Sequence, residues 1–384
     1  MNRQRIVAVA YKEWREIVRD RLFFALAFVV PALLMVLFGY GLSFDVEHVP
    51  MKVIDYDRSA ASRDYIARYT ATPYFDLIGG TLDERAVGEQ IARGEVRAAL
   101  VIPPGFGQDM AAGRAVSVQT WVDGTFPSRA LTIKGYLTAI NANATSDRLV
   151  ELLGASRGIG EADARALLQP IRLETRYLYN ERVVSIWSLG PKLIMLILML
   201  SPPFLTALGV VREKENGSIF NIYASNVSRG EFLIGKLAPY VGISSLNIVI
   251  LWLMAVLLYQ VPFKGSFAFF LFSTLIYVIC TTGIGLVVSV LVRTQMAAMI
   301  VTMIVTMIPA VLYSGLIIPV ASLGSAARVA ADLLPAQYYT NIVVGCFLKG
   351  VGFAALWPDL LILTVYALLL FGAGYALFSK RPST

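Results

Sequence analysis

The sequence predicts an α-helical integral membrane protein with six transmembrane helices, an N-terminal interfacial helix and an external α/β domain between the first and second spans. Its 384 residues are 57% hydrophobic and 15% charged, whereas a soluble domain carries about 25% charged residues. The apolar residues are concentrated in six long blocks. Between the first two blocks, residues 45–186 follow the pattern of short strands alternating with helices. These observations together indicate a membrane domain interrupted by one α/β domain.

Six apolar stretches are long enough to cross a bilayer, which takes about 20 helical residues. They occupy residues 22–44 and five further parts of 187–384. Apart from Lys192 they contain no ionisable side chain of Asp, Glu, Lys, Arg or His, so they lack the groups on which proton relays through membranes depend. The stretches are Leu22–Phe44, Leu189–Val211, Leu237–Val261, Ser266–Val292, Met296–Val320 and Leu360–Ser379.

Lysine and arginine residues beside the spans predict the orientation, because such residues are enriched in short cytoplasmic segments. Thirteen of them precede span one, follow spans two and four, or follow span six, and only Lys264, Arg328 and Lys349 lie on the opposite side. We therefore expect both termini in the cytoplasm and residues 45–186 outside. Span one is too long for the apolar region of a signal peptide and is expected to remain as an anchor.

Residues 3–20, within the segment 1–21, form an amphipathic pattern at 100° per residue. The apolar side holds Ile6, Val7, Ala10, Tyr11, Trp14, Ile17 and Val18, and the charged side holds Arg5, Lys12, Glu13, Arg15, Glu16, Arg19 and Asp20. Such a helix is expected to lie flat on the inner leaflet with its cations toward anionic lipids. A helix packed against a protein partner is the alternative.

The segment 45–186 is predicted to fold as an α/β domain, since strands and helices alternate along it. Strands are predicted at 49–55, 74–78, 96–102 and 116–122. Helices are predicted from Ser59 to Tyr69, over 82–93, after Pro104, and over 128–153. These boundaries follow from apolar alternation in the strands and from Ser and Pro at helix starts.

Several kinds of catalytic and metal site are excluded in this domain. His48 is the only histidine of the chain, which removes Ser-His-Asp, Cys-His and zinc-histidine chemistry. Asp55, Asp57 and Ser59 resemble the start of a calcium loop, but the positions that need Gly and Glu hold Ala60 and Ile66. A strand end followed by a helix cap is therefore predicted. No basic patch with aromatic platforms indicates nucleic-acid binding.

The stretch GEFLIGKL, Gly230 to Leu237, matches the GxxxxGK of a phosphate-binding P-loop. A P-loop also needs a preceding strand and a Ser or Thr after the lysine. Here Leu237 follows Lys236 and leads into a span. ATP hydrolysis, if it drives this protein, is therefore expected on another polypeptide.

Cys280 and Cys346 lie far apart in apolar surroundings and predict no disulfide framework.

The wider segment REKENGSIFNIYASNVSRGEFLIGKLAPY carries both charge signs around an apolar centre. It resembles the E-x-G-[ST] coupling loop of type-2 ABC exporter permeases, the ABC-2 family. The resemblance covers nearly the whole chain through VIDYDRSAASRDY, AALVIPPGF, VQTWVDGT, YSGLIIP, LLPAQYY and FLKG, and is strongest to the multidrug-type branch with a large external domain. The sequence departs from that pattern at Phe220, where many members carry Glu, at Ser218, which replaces Thr, and at 315–318, which replace Gly-Phe-x-Phe.

The resemblance implies a permease of the bacterial inner membrane that works with a separate nucleotide-binding ATPase subunit. ATP and Mg²⁺ would bind to that subunit, and this chain would hold no cofactor and act as a transporter subunit, not as an enzyme. A second permease, identical or paralogous, membrane lipids and an external adaptor protein are further implied partners. Residues 212–236 would be the cytoplasmic coupling loop and 321–357 an external re-entrant segment. The implied ATPase-coupling residues are Arg212, Glu213, Glu215, Gly217, Ser218, Phe220, Tyr223 and Arg229.

A stripe of methionines in span five is a candidate substrate pathway. Met296, Met299, Met303 and Met307 share one helical face, with Ser314 farther along. Flexible, polarizable Met side chains suit varied apolar ligands, although helix packing or lipid contact explains them too. We expect export of hydrophobic or amphipathic, drug-like compounds. Export of Na⁺ or a lipid component, or an anchored protein that binds or senses an external ligand, remain the alternatives.

Overall fold

The computed structural model describes residues 2–42, 45–158, 160–168, 175–217 and 227–378. The chain divides into two compact units. One is a helical unit made of Met1–Ser43 and Tyr177–Thr384, and the other is an α/β unit, Phe44–Arg176. The α/β unit thus ends earlier than the predicted boundary at residue 186.

The chain begins with α1 (Arg3–Arg19), α2 (Arg21–Phe24) and α3 (Val30–Gly41). A π-helical turn, Ala25–Val29, joins α2 to α3, so that residues 21–41 form one apolar helix. Two side chains from other helices bind carbonyl groups of this turn. Asn247 Nδ2 donates to the Ala27 oxygen at 2.7 Å, and Ser201 Oγ donates to the Leu26 oxygen at 3.5 Å. Carbonyl groups of the turn thereby have hydrogen-bond donors from outside their own helix.

The α/β unit contains a four-stranded sheet of order β2-β1-β3-β4. Strand β1 is parallel to β2 and β3, and β4 is antiparallel to β3. Because strand residues alternate between faces, one face packs against α4, α6 and α7 and the other against α5. The elements are β1 (Val49–Asp55), α4 (Ala60–Thr70), β2 (Phe75–Gly80), α5 (Glu84–Ala92), β3 (Ala98–Ile102), α6 (Phe106–Ala111), β4 (Gln119–Val122), α7 (Pro127–Arg157) and α8 (Glu161–Leu168).

The end of β1 is a capped strand-to-helix turn, as predicted. Asp55 Oδ1 accepts bonds from the backbone N–H groups of Asp57 and Arg58 at 3.0 and 2.9 Å, and Ser59 Oγ accepts one from the Ser62 N–H. These oxygens thus cap local backbone groups, which is the common role of Asp and Ser at such positions.

The rest of the helical unit is formed by α9 to α15. It contains five helices that are long and apolar enough to span a membrane, which together with residues 21–41 confirms the six predicted spans of a multi-pass membrane protein. The helices are α9 (Ser185–Glu215), α10 (Arg229–Leu253), α11 (Phe267–Leu291), α12 (Gln295–Tyr313), α13 (Ser325–Asp332), α14 (Pro335–Val344) and α15 (Phe353–Leu377); π-turns Met254–Leu258 and Gly345–Lys349 follow α10 and α14.

Four predicted boundaries were wrong. The loop predicted at 212–236 is shorter at both ends, because α9 continues to Glu215 and α10 begins at Arg229. Helix α12 ends at Tyr313, where Gly315 adopts a left-handed φ of 82°, so Ser314 lies beyond the helix and not within a span reaching Val320. Helix α15 begins at Phe353, inside the segment predicted as 321–357. That segment does contain the two short helices α13 and α14.

Helix α9 forms the centre of the helical unit. Of its most apolar stretch 89% is buried, against 22% for α12 and α15. Helix α11 approaches α9 closely at Gly285, where a Cβ atom would overlap the carbonyl oxygen of Pro203. Farther along, the Tyr277 hydroxyl donates to the Met195 oxygen at 3.2 Å and its ring stacks on Tyr339, with centroids 4.0 Å apart.

We predict that Gly285→Ala destabilises the helical unit, because the added methyl meets backbone that cannot rotate away. Overpacking of this kind costs about 1–3 kcal/mol. The midpoint of thermal unfolding, measured on purified protein in detergent, should fall. Gly372→Ala is the matched control, since Gly372 is also helical and a Cβ atom added there would meet nothing within 4 Å. Equal midpoints for both variants would show that the α9–α11 contact is not tight.

Candidate functional site at the C-terminal turn of α9

The last turn of α9 carries four consecutive charged residues, Arg212, Glu213, Lys214 and Glu215. Successive side chains on a helix point about 100° apart, so the four reach in different directions. Each one contacts a different part of the helical unit. The turn therefore connects the central helix to most of its neighbours at one end of the unit.

Glu213 belongs to a buried ionic cluster that joins α1, α9 and α10. Lys236 Nζ lies 2.5 Å from Glu13 Oε1 and 3.1 Å from Glu213 Oε2, while Lys12 Nζ lies 2.7 Å from Glu213 Oε1. The Tyr240 hydroxyl donates to Glu13 Oε2 at 2.9 Å. The side chains of Lys236, Glu13 and Glu213 are only 1%, 3% and 6% exposed. Two cations thus balance two carboxylates at the centre of three helices.

The electrostatics of α1 reflect this burial. Desolvation raises the pKa of Glu13, although Lys236 and Tyr240 favour its ionised form. Burial alone would lower the pKa of Lys12, but the hydrogen bond to Glu213 and the nearby acidic groups outweigh it, so the pKa is raised. Lys12 is therefore held in its charged form by the carboxylate of another helix.

Arg212 connects α9 to the start of α2. Its Nη1 donates to Asp20 Oδ2 at 2.6 Å, and the guanidinium lies 5.4 Å from the centre of the Phe23 ring. Asp20 is the N-cap of α2, with Oδ1 accepting from the Leu22 N–H at 2.9 Å. Burial opposes ionisation of Asp20, yet these hydrogen bonds prevail and its pKa is lowered.

Lys214 and Glu215 bind the end of α11 and the start of α12. Lys214 Nζ donates to the carbonyl oxygen of Ser289 at 2.5 Å, near the end of α11. Glu215 Oε2 accepts from the backbone N–H and side-chain amide of Gln295, at 3.0 and 2.9 Å, at the start of α12. Cations at helix C-termini and anions at N-termini are both favourable placements.

The start of α10 is fixed by a capping box. Ser228 Oγ accepts from the Glu231 N–H and the Glu231 carboxylate accepts from the Ser228 N–H. Glu231 Oε1 also accepts the Asn2 N–H at 2.6 Å, which ties the beginning of α1 to α10. Such a cap satisfies backbone N–H groups at the start of a helix. A hydropathy pattern alone does not show where such a helix begins.

The apparent P-loop lies within α10 and has a structural role. A Cβ at Gly235 would lie 2.8 Å from the carbonyl oxygen of Ile6, so the glycine permits α1 to approach. Lys236 is then occupied by Glu13 and Glu213. The prediction that this stretch forms no phosphate site agrees with this geometry.

Only part of the predicted coupling set lies together in the structure. Arg212, Glu213 and Glu215 belong to the charged turn, Gly217 follows it with a φ of 72°, and Arg229 begins α10. Ser218, Phe220 and Tyr223 lie outside the described residues. Glu13 was placed on the charged side of α1, in a helix expected to lie flat on the inner leaflet, and it is instead buried against α9 and α10.

Lys12, Glu13, Lys236 and Tyr240 were missed as site residues. The sequence offered two signals for this cluster: Lys236 stands next to the apolar part of α10, and Glu13 is an acidic residue on α1 that could pair with it. Three carboxylates, Glu13, Glu16 and Glu213, also have oxygens within 4.8 Å of one another. Because Lys236 and Lys12 already pair with all three carboxylates, this cluster does not fit a cation site.

The methionine stripe faces away from the centre of this chain. Met296 and Met303 are 67% and 50% exposed, and Met299 and Met307 are half-buried. Ser314 is buried, and its hydroxyl has no hydrogen-bond partner among the described residues. Ser314 therefore lies apart from the exposed part of the stripe, and a substrate pathway along these residues stays a prediction.

Comparison with known proteins gives consistent matches. Residues 21–376 match the family described as ABC-2 family transporter protein. The chain is 27% identical to the probable multidrug ABC transporter permease YbhS of Escherichia coli K12, over 98% of this chain and 97% of that protein. It is 24% identical to the probable multidrug ABC transporter permease YbhR, over 98% and 99%, and 24% identical to the inner membrane transport permease YhhJ, over 87% and 86%, both from the same strain.

We predict that Lys236→Met destabilises the helical unit strongly, because it leaves Glu13 and Glu213 buried near one remaining cation. Removing one partner of a buried pair costs about 3–5 kcal/mol. The measurement is the thermal midpoint in detergent, with Lys349→Met, an exposed lysine, as control. Adding Glu13→Gln to Lys236→Met should recover part of the loss, since one uncompensated charge is removed. A Lys236→Met protein as stable as wild type would contradict the ionic cluster.

Proposed function

This chain belongs to the ABC-2 family of transporter proteins, and from that premise we propose that it expels hydrophobic or amphipathic compounds across a bacterial inner membrane. As a permease of an ABC transporter it is a transport subunit, not an enzyme. The energy would come from a separate ATPase subunit that binds ATP and Mg²⁺. A second permease, identical or paralogous, would complete the membrane part, and an external adaptor could join it.

The observation that carries this proposal is the charged turn of α9. It stands directly before the segment that resembles an ATPase-coupling loop, and its four side chains contact α1, α2, α10, α11 and α12. Displacement of the segment by an ATPase would act on all of these helices at once. Hydrogen-bonded and ionic contacts transmit such displacement better than apolar contacts, because they fix both distance and direction.

The proposed orientation puts the charged turn in the cytoplasm and the α/β unit outside. It is supported by the distribution of Lys and Arg beside the spans. The exposed apolar residues of α1, Val7, Tyr11, Trp14 and Val18, recur at helical spacing. They are suited to the inner leaflet of the membrane, while the opposite face of α1 packs on protein.

The proposed substrate class draws on two findings. Two relatives are named as probable multidrug permeases. Met296 and Met303 are exposed on α12, where they would face either lipid or a second permease. In the second case they would line an apolar path between the two subunits, and their flexible side chains would accept compounds of varied shape.

We predict that purification of the chain from its native membrane in mild detergent recovers a nucleotide-binding subunit. Phe220→Ala should weaken that association, because loss of an aromatic anchor costs about 2 kcal/mol, or roughly thirtyfold in affinity. Phe126→Ala, which alters an exposed phenylalanine of the α/β unit, is the control. Recovery of no ATPase would contradict the proposed function and favour a binding or sensory protein. Unchanged association of Phe220→Ala would contradict only the role of Phe220.

We predict that Lys12→Met uncouples transport while leaving the complex intact. Lys236 still pairs with Glu213 in this variant, but the ion pair between Lys12 of α1 and Glu213 of α9 is lost. Hydrolysis stimulated by an exported compound should fall by about fivefold or more, whereas ATPase association should not change. Arg15→Met is the matched control, since its guanidinium lies over the Tyr11 ring of the same helix. Equal stimulation in the two variants would exclude α1 from coupling.

A further inference from the structure

The α/β unit contains a cavity of about 400 Å³ that the proposed function does not use. It lies between α6, the loop that follows it, and the C-terminal half of α7. Pockets of this size are in the range that binds small molecules. Its apolar lining comes from Phe106, Met110, Val116, Val118, Leu149 and Leu152.

Local contacts hold the walls of the cavity in place. The Tyr65 ring lies 5.5 Å from the Phe106 ring, and its hydroxyl donates to Asn141 Oδ1 on α7 at 2.8 Å. After α6, the Arg114 N–H donates to the Asp109 oxygen at 2.9 Å, and the Arg114 guanidinium pairs with the Asp109 carboxylate. The loop is thus fixed to α6, so the cavity is largely formed before a ligand enters.

The charged side chains that line the cavity are both cationic. They are Arg114 and Arg148, among the described residues. Arg148 spans the cavity wall, with Nη2 donating to the Met110 oxygen at 3.1 Å and Nη1 to Glu151 at 2.8 Å. Its Nε is buried and has no acceptor among the described residues. The paired carboxylates, Asp109 and Glu151, are not part of the lining, so the interior favours negative charge.

A neighbouring cavity of about 190 Å³ differs in this respect. It shares Arg148 but also has Asp64, Arg68 and Glu151 in its lining. Its two acidic and two basic side chains therefore balance, and its lining has less apolar surface than that of the larger cavity. Of these two cavities, the larger one combines an apolar floor with an excess of cationic donors.

We propose that the larger cavity binds an amphipathic anion, with its carboxylate, sulfonate or phosphate near Arg114 and Arg148 and its hydrocarbon part on the apolar floor. Guanidinium groups bind such acidic groups through paired N–H donors. Burial of each methylene of the chain adds to the affinity. This site goes beyond the proposed function and does not depend on it. Only its use in export would rest on that function.

The test measures protection of a cysteine placed in the cavity. In a background with Cys280 and Cys346, which are buried, changed to Ala, Thr145→Cys introduces a thiol at the cavity wall. The full-length protein in phosphatidylcholine nanodiscs is labelled with N-ethylmaleimide. Thr138→Cys is the matched control, because Thr138 lies on the same helix outside the cavity and both hydroxyls donate to the carbonyl four residues earlier at 2.8 Å.

Three probes separate charge from chain length, and the two that carry a ten-carbon chain are used below their critical micelle concentrations. Decanoate should slow labelling of Thr145→Cys and not of Thr138→Cys. Decyltrimethylammonium, with the same chain and opposite charge, and acetate, with the same charge and no chain, should protect weakly. Slower labelling in discs containing phosphatidylglycerol, with no decanoate added, would identify a lipid as the source of the anion. Protection only by dissolved decanoate would identify a soluble compound.

Substitution of the cations tests the head-group contact. Arg114→Gln in the Thr145→Cys background should raise the decanoate concentration for half-protection by about tenfold. Arg129→Gln, which alters an arginine of α7 outside the cavity, should have no effect. Arg114 is exposed, and the bond from its backbone N–H to the Asp109 oxygen remains in Arg114→Gln. The loop should therefore stay on α6, which an unchanged labelling rate without ligand would verify.

Equal protection by decanoate and decyltrimethylammonium, or equal protection at residues 145 and 138, would overturn the proposal. So would the absence of any protection by decanoate. None of these results depends on an ATPase subunit, so failure of this site and failure of the proposed function are distinguishable.

Discussion

The structure of the helical unit depends on the burial of Lys236. An isolated ammonium group in such a place costs several kcal/mol even after relaxation, so it must be paired. Glu13 and Glu213 provide the pairing, and they come from two other helices. Buried ionic groups add little net stability compared with apolar ones. Their effect here is on position, because α1, α9 and α10 must keep one mutual register for all charges to be satisfied.

The middle of α9 and its C-terminal turn are held by different kinds of contact. Toward its middle, α9 packs through apolar and small residues, with Gly285 of α11 against Pro203. At its C-terminus the contacts are ionic or hydrogen-bonded, and they reach α1, α2, α10, α11 and α12. Apolar contacts have no preferred direction, whereas hydrogen bonds and ion pairs fix both distance and direction, so the polar contacts break or move as a group. Under the proposed function, this difference would let the polar end move as a unit while the helix turns on its packed middle.

The sequence predicted elements well where the signal is local. Six apolar stretches defined the spans, and β1 was placed at Val49–Asp55 because its alternation is bounded by Asp55 and the Ser59 cap. Prediction from the sequence was wrong where contacts with other helices determine a boundary or the burial of a side chain. The start of α10 at Arg229 depends on Ser228, Glu231 and Asn2, which a hydropathy pattern does not contain. A helical wheel placed Glu13 among the charged residues, but it carries no information that Lys236 would lie opposite.

The stretch GEFLIGKL shows why a motif needs its structural context. In a P-loop, glycine lets backbone N–H groups approach a phosphate and lysine supplies the cation. In α10 a glycine again permits close approach of backbone and a lysine again supplies the cation, but the anion is the carboxylate of Glu13. Gly235 allows the backbone of α1 to come near, and only a helix at that distance brings the Glu13 carboxylate to Lys236 Nζ at 2.5 Å. Any side chain at 235 would move α1 outward and separate the pair, so the glycine and the lysine act together, within one chain and without a nucleotide.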